Sequence, residues 1–269
     1  MKRIILLIMV IFGISTVSCA RKEVKSVKGP FVLKLGYQKG SNYLYNTDMR
    51  MQNTIEMSGA SHTMNVLSGI KYDISVEDIR DDTMDIQITI KDVNITLKTV
   101  AGSRQLPEAN MLSGKRINIT VLKNGNIIKK GTLNMEDNNL KNILENMSEI
   151  FNFIPDVPVR INSTWKDSTD EGIRYFKLLD VKVKDGDTVA VIGLKGSFNK
   201  IETSKSQGMN VKTEIKGSGE GKIYFSITKG IILKENVNAG LEGKVKMESG
   251  TEMPMYIDQD IETKLLKED

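Results

Sequence analysis

Few side chains in this sequence have the type and spacing that chemistry needs. His62 is the single histidine, in Gly59-Ala60-Ser61-His62-Thr63-Met64, a segment that reads as a turn between strands. A Ser–His–carboxylate device needs a serine held against the imidazole, and no nucleophile elbow surrounds any serine here. One histidine and one cysteine, Cys19, cannot supply a four-ligand zinc set. Asp185-Gly186-Asp187 lacks the distal glutamate of a calcium loop and reads as a hairpin turn. Glu77, Asp78, Asp81 and Asp82 bring carboxyls together as glycoside cleavage requires, but their setting reads as a solvated loop. Phosphate loops and dinucleotide fingerprints are absent from the sequence. Methionine is the unusual inventory: the chain has 14, and Met49, Met51, Met57 and Met64 lie close to His62. Thioethers ligate Cu(I), but Met49, Met51 and Met57 share the apolar phase of an alternating segment, where apolar filling places them. The residues therefore point to no enzyme, no metal and no cofactor.

The elements that carry these residues are strands. From Tyr45 to Met57 the odd positions are mostly apolar and the even positions polar, a period of two. The same alternation runs through Ile70, Tyr72, Ile74 and Val76, then through Met84, Ile86, Ile88 and Ile90. It changes phase to Val93, Ile95 and Leu97, which predicts a bulge near Lys91-Asp92. Asn124-Gly125 predicts a tight hairpin after Ile117, Ile119 and Val121. After residue 160 alternation resumes, punctuated by Asp185-Gly186-Asp187 and Thr228-Lys229-Gly230. Gly217, Gly219 and Gly221 sit in strand-like sequence and predict a bend or a close backbone approach. Leu140, Ile143, Leu144, Met147, Ile150 and Phe151 instead fall at helical spacing, capped by Asp137 or Asn138 and stopped by Pro155 and Pro158. The expected fold is therefore mainly β: long antiparallel amphipathic strands in two similar halves, half-barrel or sandwich-like, with one central amphipathic helix. The expected divisions are a signal peptide over 1–18, a flexible tether over 19–30, a β half over 31–133, helix and connector over 134–158, and a second β half over 159–269.

The leader has a positive start at Lys2 and Arg3, an apolar run from Ile4 to Ile14, and short residues before Cys19. That run is shorter than the ~20 residues of a membrane span and reads as a secretory signal. Thr16-Val17-Ser18-Cys19 resembles the lipobox of bacterial lipoproteins, with threonine where leucine is usual. The resemblance implies lipidation of Cys19, with acyl chains anchoring the domain and Ala20 to Gly29 as spacer. By the same resemblance to bacterial lipoproteins, Ala20 and Arg21 after Cys19, with no aspartate, imply the outer membrane, facing the periplasm or the surface. The formal charge of +4 falls towards neutrality once Lys2 and Arg3 leave with the leader, and basic and acidic residues are interspersed. Nucleic acid, which needs a concentrated basic face, is not an expected partner.

The body resembles a family of uncharacterised bacterial envelope lipoproteins. The residues that carry this are Phe153-Ile154-Pro155-Asp156-Val157-Pro158-Val159 running into Asn162-Ser163-Thr164-Trp165, the Gly219–Gly221 strand with Lys229-Gly230, and Met253-Pro254-Met255. The resemblance implies no activity. Long one-sided strands around a helix also resemble the half-barrels of lipoprotein carriers, an analogy of architecture alone. The function expected from these readings is a non-catalytic binding module for a lipid or other apolar ligand. Met49, Met51, Met57, Leu144 and Met147 are its candidate ligand-binding residues. The alternative is a structural or assembly protein acting on an envelope partner, and an enzyme comes third.

Overall fold

The computed structural model describes residues 29–131, 148–169, 171–206 and 209–269. Twelve strands account for most of them. The first six are β1 (Asn42–Met57), β2 (Ala60–Arg80), β3 (Thr83–Thr99), β4 (Gly102–Gln105), β5 (Arg116–Leu122) and β6 (Ile127–Lys130). The second six are β7 (Thr164–Thr169), β8 (Gly172–Lys184), β9 (Asp187–Ser206), β10 (Met209–Ser226), β11 (Ile231–Met247) and β12 (Glu252–Glu268). All join one sheet in the order β6-β5-β3-β2-β1-β12-β11-β10-β9-β8-β7, with β4 beside β3. Nearly every neighbour is a local hairpin, closed by turns with positive φ at Ser58-Gly59, Asp81, Asp185-Gly186, Gly230 and Gly250. The exception is the antiparallel pair β1–β12, which joins the two ends of the chain and merges two meanders into one surface. The 21 residues of β2 make it ~70 Å long, several times the usual strand.

The sheet curls. Adjacent residues Leu35 and Gly36 donate their N–H groups to Lys123 O (2.7 Å) and Gly230 O (2.9 Å), on opposite wings. Those acceptors belong to the β5–β6 and β10–β11 connections, six strand spacings apart in the ladder. Laid flat, six spacings are roughly 29 Å, so the wings must fold towards one another for adjacent residues to reach both. The strap that holds them alternates as a strand does: Phe31, Leu33, Leu35 and Tyr37 are buried while Val32 is exposed. Phe31 exchanges two hydrogen bonds with Val159. Under the strap the inward residues of β1, β2, β3, β5, β8, β9 and β10 form a dry core, with Phe151 and Phe153 filling it from the connector. Inside that core Tyr37 donates to the Tyr45 hydroxyl (2.9 Å), which donates to Ile232 O (2.8 Å). Burial holds both phenols far above their ordinary range, so they act only as neutral hydrogen-bonding groups.

The structure corrects the expected fold class. The fold is mainly β with long antiparallel strands, and the strands of both halves join one open sheet, continuous through the β1–β12 pair. The central amphipathic helix is contradicted: the described residues contain no α-helix. The end of the segment read as helical, Ser148–Phe151, is a 3-10 turn, and Leu144 and Met147 lie outside the described residues. Phe151 is pinned edge-on to Tyr37 with ring centroids 5.8 Å apart. Its apolarity therefore fills the dry end of the sheet, a use that helical spacing cannot distinguish from the face of a helix. His62, read as a turn residue, lies in β2 opposite Ile55. The bulge near Lys91-Asp92 is present, because Lys71 pairs with Asp92 and Tyr72 with Ile90, leaving Lys91 over.

Gly230 tests the strap. A Cβ there would lie 2.2 Å from Gly36 N and its φ is +70°, whereas a Cβ on Gly59 meets nothing within 4 Å at φ +79°. Gly230→Ala is expected to cost about 2 kcal/mol more than Gly59→Ala, a melting temperature lower by about 4–8 °C in paired thermal melts.

Candidate functional site

Beyond the dry core the inner face continues towards the β1–β2 hairpin without the strap over it. Strand register arranges its side chains in rows across the sheet, and successive rows are ~6.6 Å apart along the strands. In the row next to the core, Ile70, Thr47, Thr263, Glu235 and Ile223 stand side by side. The next row carries Ser68, Met49, Ile261, Val237, Gly221 and Leu194. Then come Val66, Met51, Gln259, Ala239, Gly219 and Gly196, followed by Met64, Asn53, Ile257, Leu241, Gly217 and Phe198. Near the mouth Ile55, Met255, Gly243 and Ile215 align, and Met57 ends the wall at the hairpin.

These rows form an apolar trough whose wall is only partly covered. Met49, Met51, Val237, Leu241, Leu194 and Phe198 are half-buried, Met253 and Met255 are buried, and Met57 is 46% exposed. Burying this surface under a ligand would gain ~25 cal/mol per Å² of apolar area. The opposite face of the same strands is polar: Asp48, Arg50, Asn238, Asp258 and Asp260 cluster on it, around open depressions over Gly69 and Gly240. The inward glycines shape the floor. A Cβ at Gly217 or Gly221 would approach the carbonyl oxygen of Gly240 or Asn236 to 2.2 Å, so the bend across β10–β11 excludes side chains there.

The structure brings three of the expected ligand-binding residues, Met49, Met51 and Met57, onto one wall of this trough. Met49 and Met51 also touch the edge of the dry core, and Gln259 donates to the Met49 sulfur at 3.4 Å. Leu144, Met147 and the lipidation candidate Cys19 lie outside the described residues. Of the acidic cluster, Asp78 pairs with Lys39 and Arg80, which holds its carboxyl below the usual range. Among the described residues no group of three or more His, Cys, Asp or Glu could hold a metal.

Polar groups on the inner wall were missed by reading alternation for its apolar members alone. Glu235 precedes Val237 and Ala239 in the same phase, and Arg174 precedes Phe176 and Leu178. Arg174 forms a short ion pair with Asp167 on β7. Burial pushes the Glu235 carboxyl up to about 7, against the opposing pull of the Arg174 charge.

The chain is an open antiparallel sheet, curled by its strap, with a half-covered and mostly apolar inner face beyond the packed core. No family model and no curated protein matches the chain. Among solved structures, lipovitellin, in a structure of its lipid–protein interactions, aligns at a TM-score of 0.56 and 12% identity. The alignment covers 87% of this chain and 26% of lipovitellin, so the chain spans about a quarter of that protein's length, and the likeness is one of fold alone. An outer membrane channel from Pseudomonas putida F1 aligns at a TM-score of 0.20 and 10% identity, over 86% of this chain and 97% of the channel. A DUF1329 family protein from Desulfovibrio piger aligns at 0.16 and 11%, over 80% and 83%. At those scores the latter two carry no argument.

Glu235 gives the site a pH dependence of stability. Its folded value lies above the ordinary value of 4.5, so as pH rises from 4.5 through 7 the unfolded chain ionises first and folding loses stability. Glu235→Gln should therefore melt several degrees higher than the wild type at pH 8 and together with it at pH 4. Coincident melting curves at pH 8 would contradict the desolvation of this carboxyl.

Proposed function

We propose that this protein is a non-catalytic, lipid-anchored component of the bacterial cell envelope whose trough holds a lipid or another apolar ligand. The observation that carries the reading is the half-covered, mostly apolar inner surface of β1 from Met49 to Met57, interrupted by Asn53 and continued across the sheet by Val237, Leu241 and Leu194. A monomeric soluble surface rarely leaves so long an apolar strip open without a use. The shared fold with lipovitellin, whose solved structure concerns lipid–protein interactions, supports the same reading. The leader and Cys19 support lipid attachment and export, and the residues after Cys19 support the outer membrane. A second reading, assembly with an envelope protein, draws on β7 (Thr164–Thr169), which among the described residues pairs with β8 alone and forms one edge of the sheet, as strand addition requires.

Native mass spectrometry of the purified full chain, released from detergent in the gas phase, tests the ligand. The wild type should carry a reproducible apolar adduct that Met51→Leu retains and Met51→Asp loses, with circular dichroism of all three proteins unchanged. An adduct-free spectrum under every condition would move the weight to the assembly reading. Anchoring is tested separately by feeding cells an alkyne-tagged fatty acid: the label should appear on the wild type and disappear in Cys19→Ser.

A further inference from the structure

Glu235 stands where the dry core gives way to the trough. Its neighbours across the ladder, Thr263 on β12 and Ile223 on β10, are both buried. The Thr263 hydroxyl is bonded to that of Thr47 at 2.8 Å. The ionisable groups whose charge reaches the carboxyl are the Tyr72 phenol on β2 and the Arg174 guanidinium on β8. Between Arg174 and Glu235 the inner wall is floored by Gly196, Gly219 and Gly221, which put no side chain in the way. Arg174 is already committed to Asp167, so that pair is close to neutral. Among the described residues no side chain gives the Glu235 carboxyl a hydrogen bond or an ion pair. The inner end of an apolar trough thus holds one carboxyl without a donor.

A group of that kind selects by head-group chemistry. An ionised carboxylate only accepts hydrogen bonds, and a second anion beside it in a poorly solvated site raises the cost of both. An alcohol supplies a donor without charge, and an ammonium supplies a charge-assisted one. We propose that the trough takes amphiphiles whose polar end is a hydrogen-bond donor, an alcohol or an amine, seated on Glu235, and discriminates against chain-matched carboxylates. The proposal rests on the reading of the trough as a ligand site.

The test uses three probes with the same pyrene-labelled long alkyl chain, ending in an alcohol, an amine or a carboxylate, titrated by anisotropy into the purified full chain at pH 6 and pH 8. At pH 8 the alcohol and the amine should bind about tenfold more tightly than the carboxylate. Glu235→Gln should cut amine affinity about tenfold and bring the carboxylate to within about threefold of the alcohol, while alcohol binding shows that the variant is folded. At pH 6, where the carboxyl is largely protonated, the advantage of the amine over the alcohol should shrink. Equal or tighter binding of the carboxylate to the wild type, or ratios that Glu235→Gln leaves unchanged, would overturn the proposal while leaving the trough as a ligand site. Binding of none of the three would overturn both.

Discussion

The hydrogen bonds from Leu35 and Gly36 to opposite wings of one sheet set the shape of everything else. A twelve-stranded antiparallel sheet has two faces, and its inner face here is apolar along most of its length. Water would drive such a face to find a cover. The strap of Phe31, Leu33, Leu35 and Tyr37 covers one end and draws the wings together over a packed core. The strap is short and the strands are long, so the other end keeps the same apolar pattern with less to bury it. Fold and candidate site are thus one surface, divided by how far the strap reaches.

At that division the chemistry changes over a single row of side chains. Tyr45 and Tyr72 are stacked and dry on the core side, with ring centroids 5.6 Å apart. The Thr47–Thr263 pair and Glu235 follow, and the methionine wall begins one row later. Methionine suits such a wall because its unbranched, polarizable side chain repacks against differently shaped neighbours at little cost. The glycine floor opposite does the reverse, fixing the backbone so tightly that no larger residue fits at Gly217 or Gly221. One side of the trough is adaptable and the other rigid, an arrangement suited to a ligand recognised more by apolarity than by outline.

Much of this was legible in the sequence, because period two is a local signal. The alternation through Tyr45–Met57 identified both β1 and the face its methionines share, and the phase change after Ile90 located the bulge. Strand order was not legible. The β1–β12 pairing brings together residues some two hundred positions apart, and nothing in either strand names its partner. The helix expected around Leu144 failed where it can be checked, since Ile150 and Phe151 serve the core from a 3-10 turn. Glu235 and Arg174 were hidden for a different reason: alternation invites attention to the apolar members of a face, and these two are charged members of the same phase.

The central claim is that an apolar molecule occupies the inner trough and leaves the outer face of the same strand untouched. The most direct measurement places a fluorophore on a cysteine at Met51, or at the outward neighbour Gln52, with Cys19 replaced by serine, and adds an alkyl alcohol brominated along its chain. The account predicts strong quenching at position 51 and little at position 52. Equal quenching at both, or none at position 51 while the protein remains folded, would contradict it.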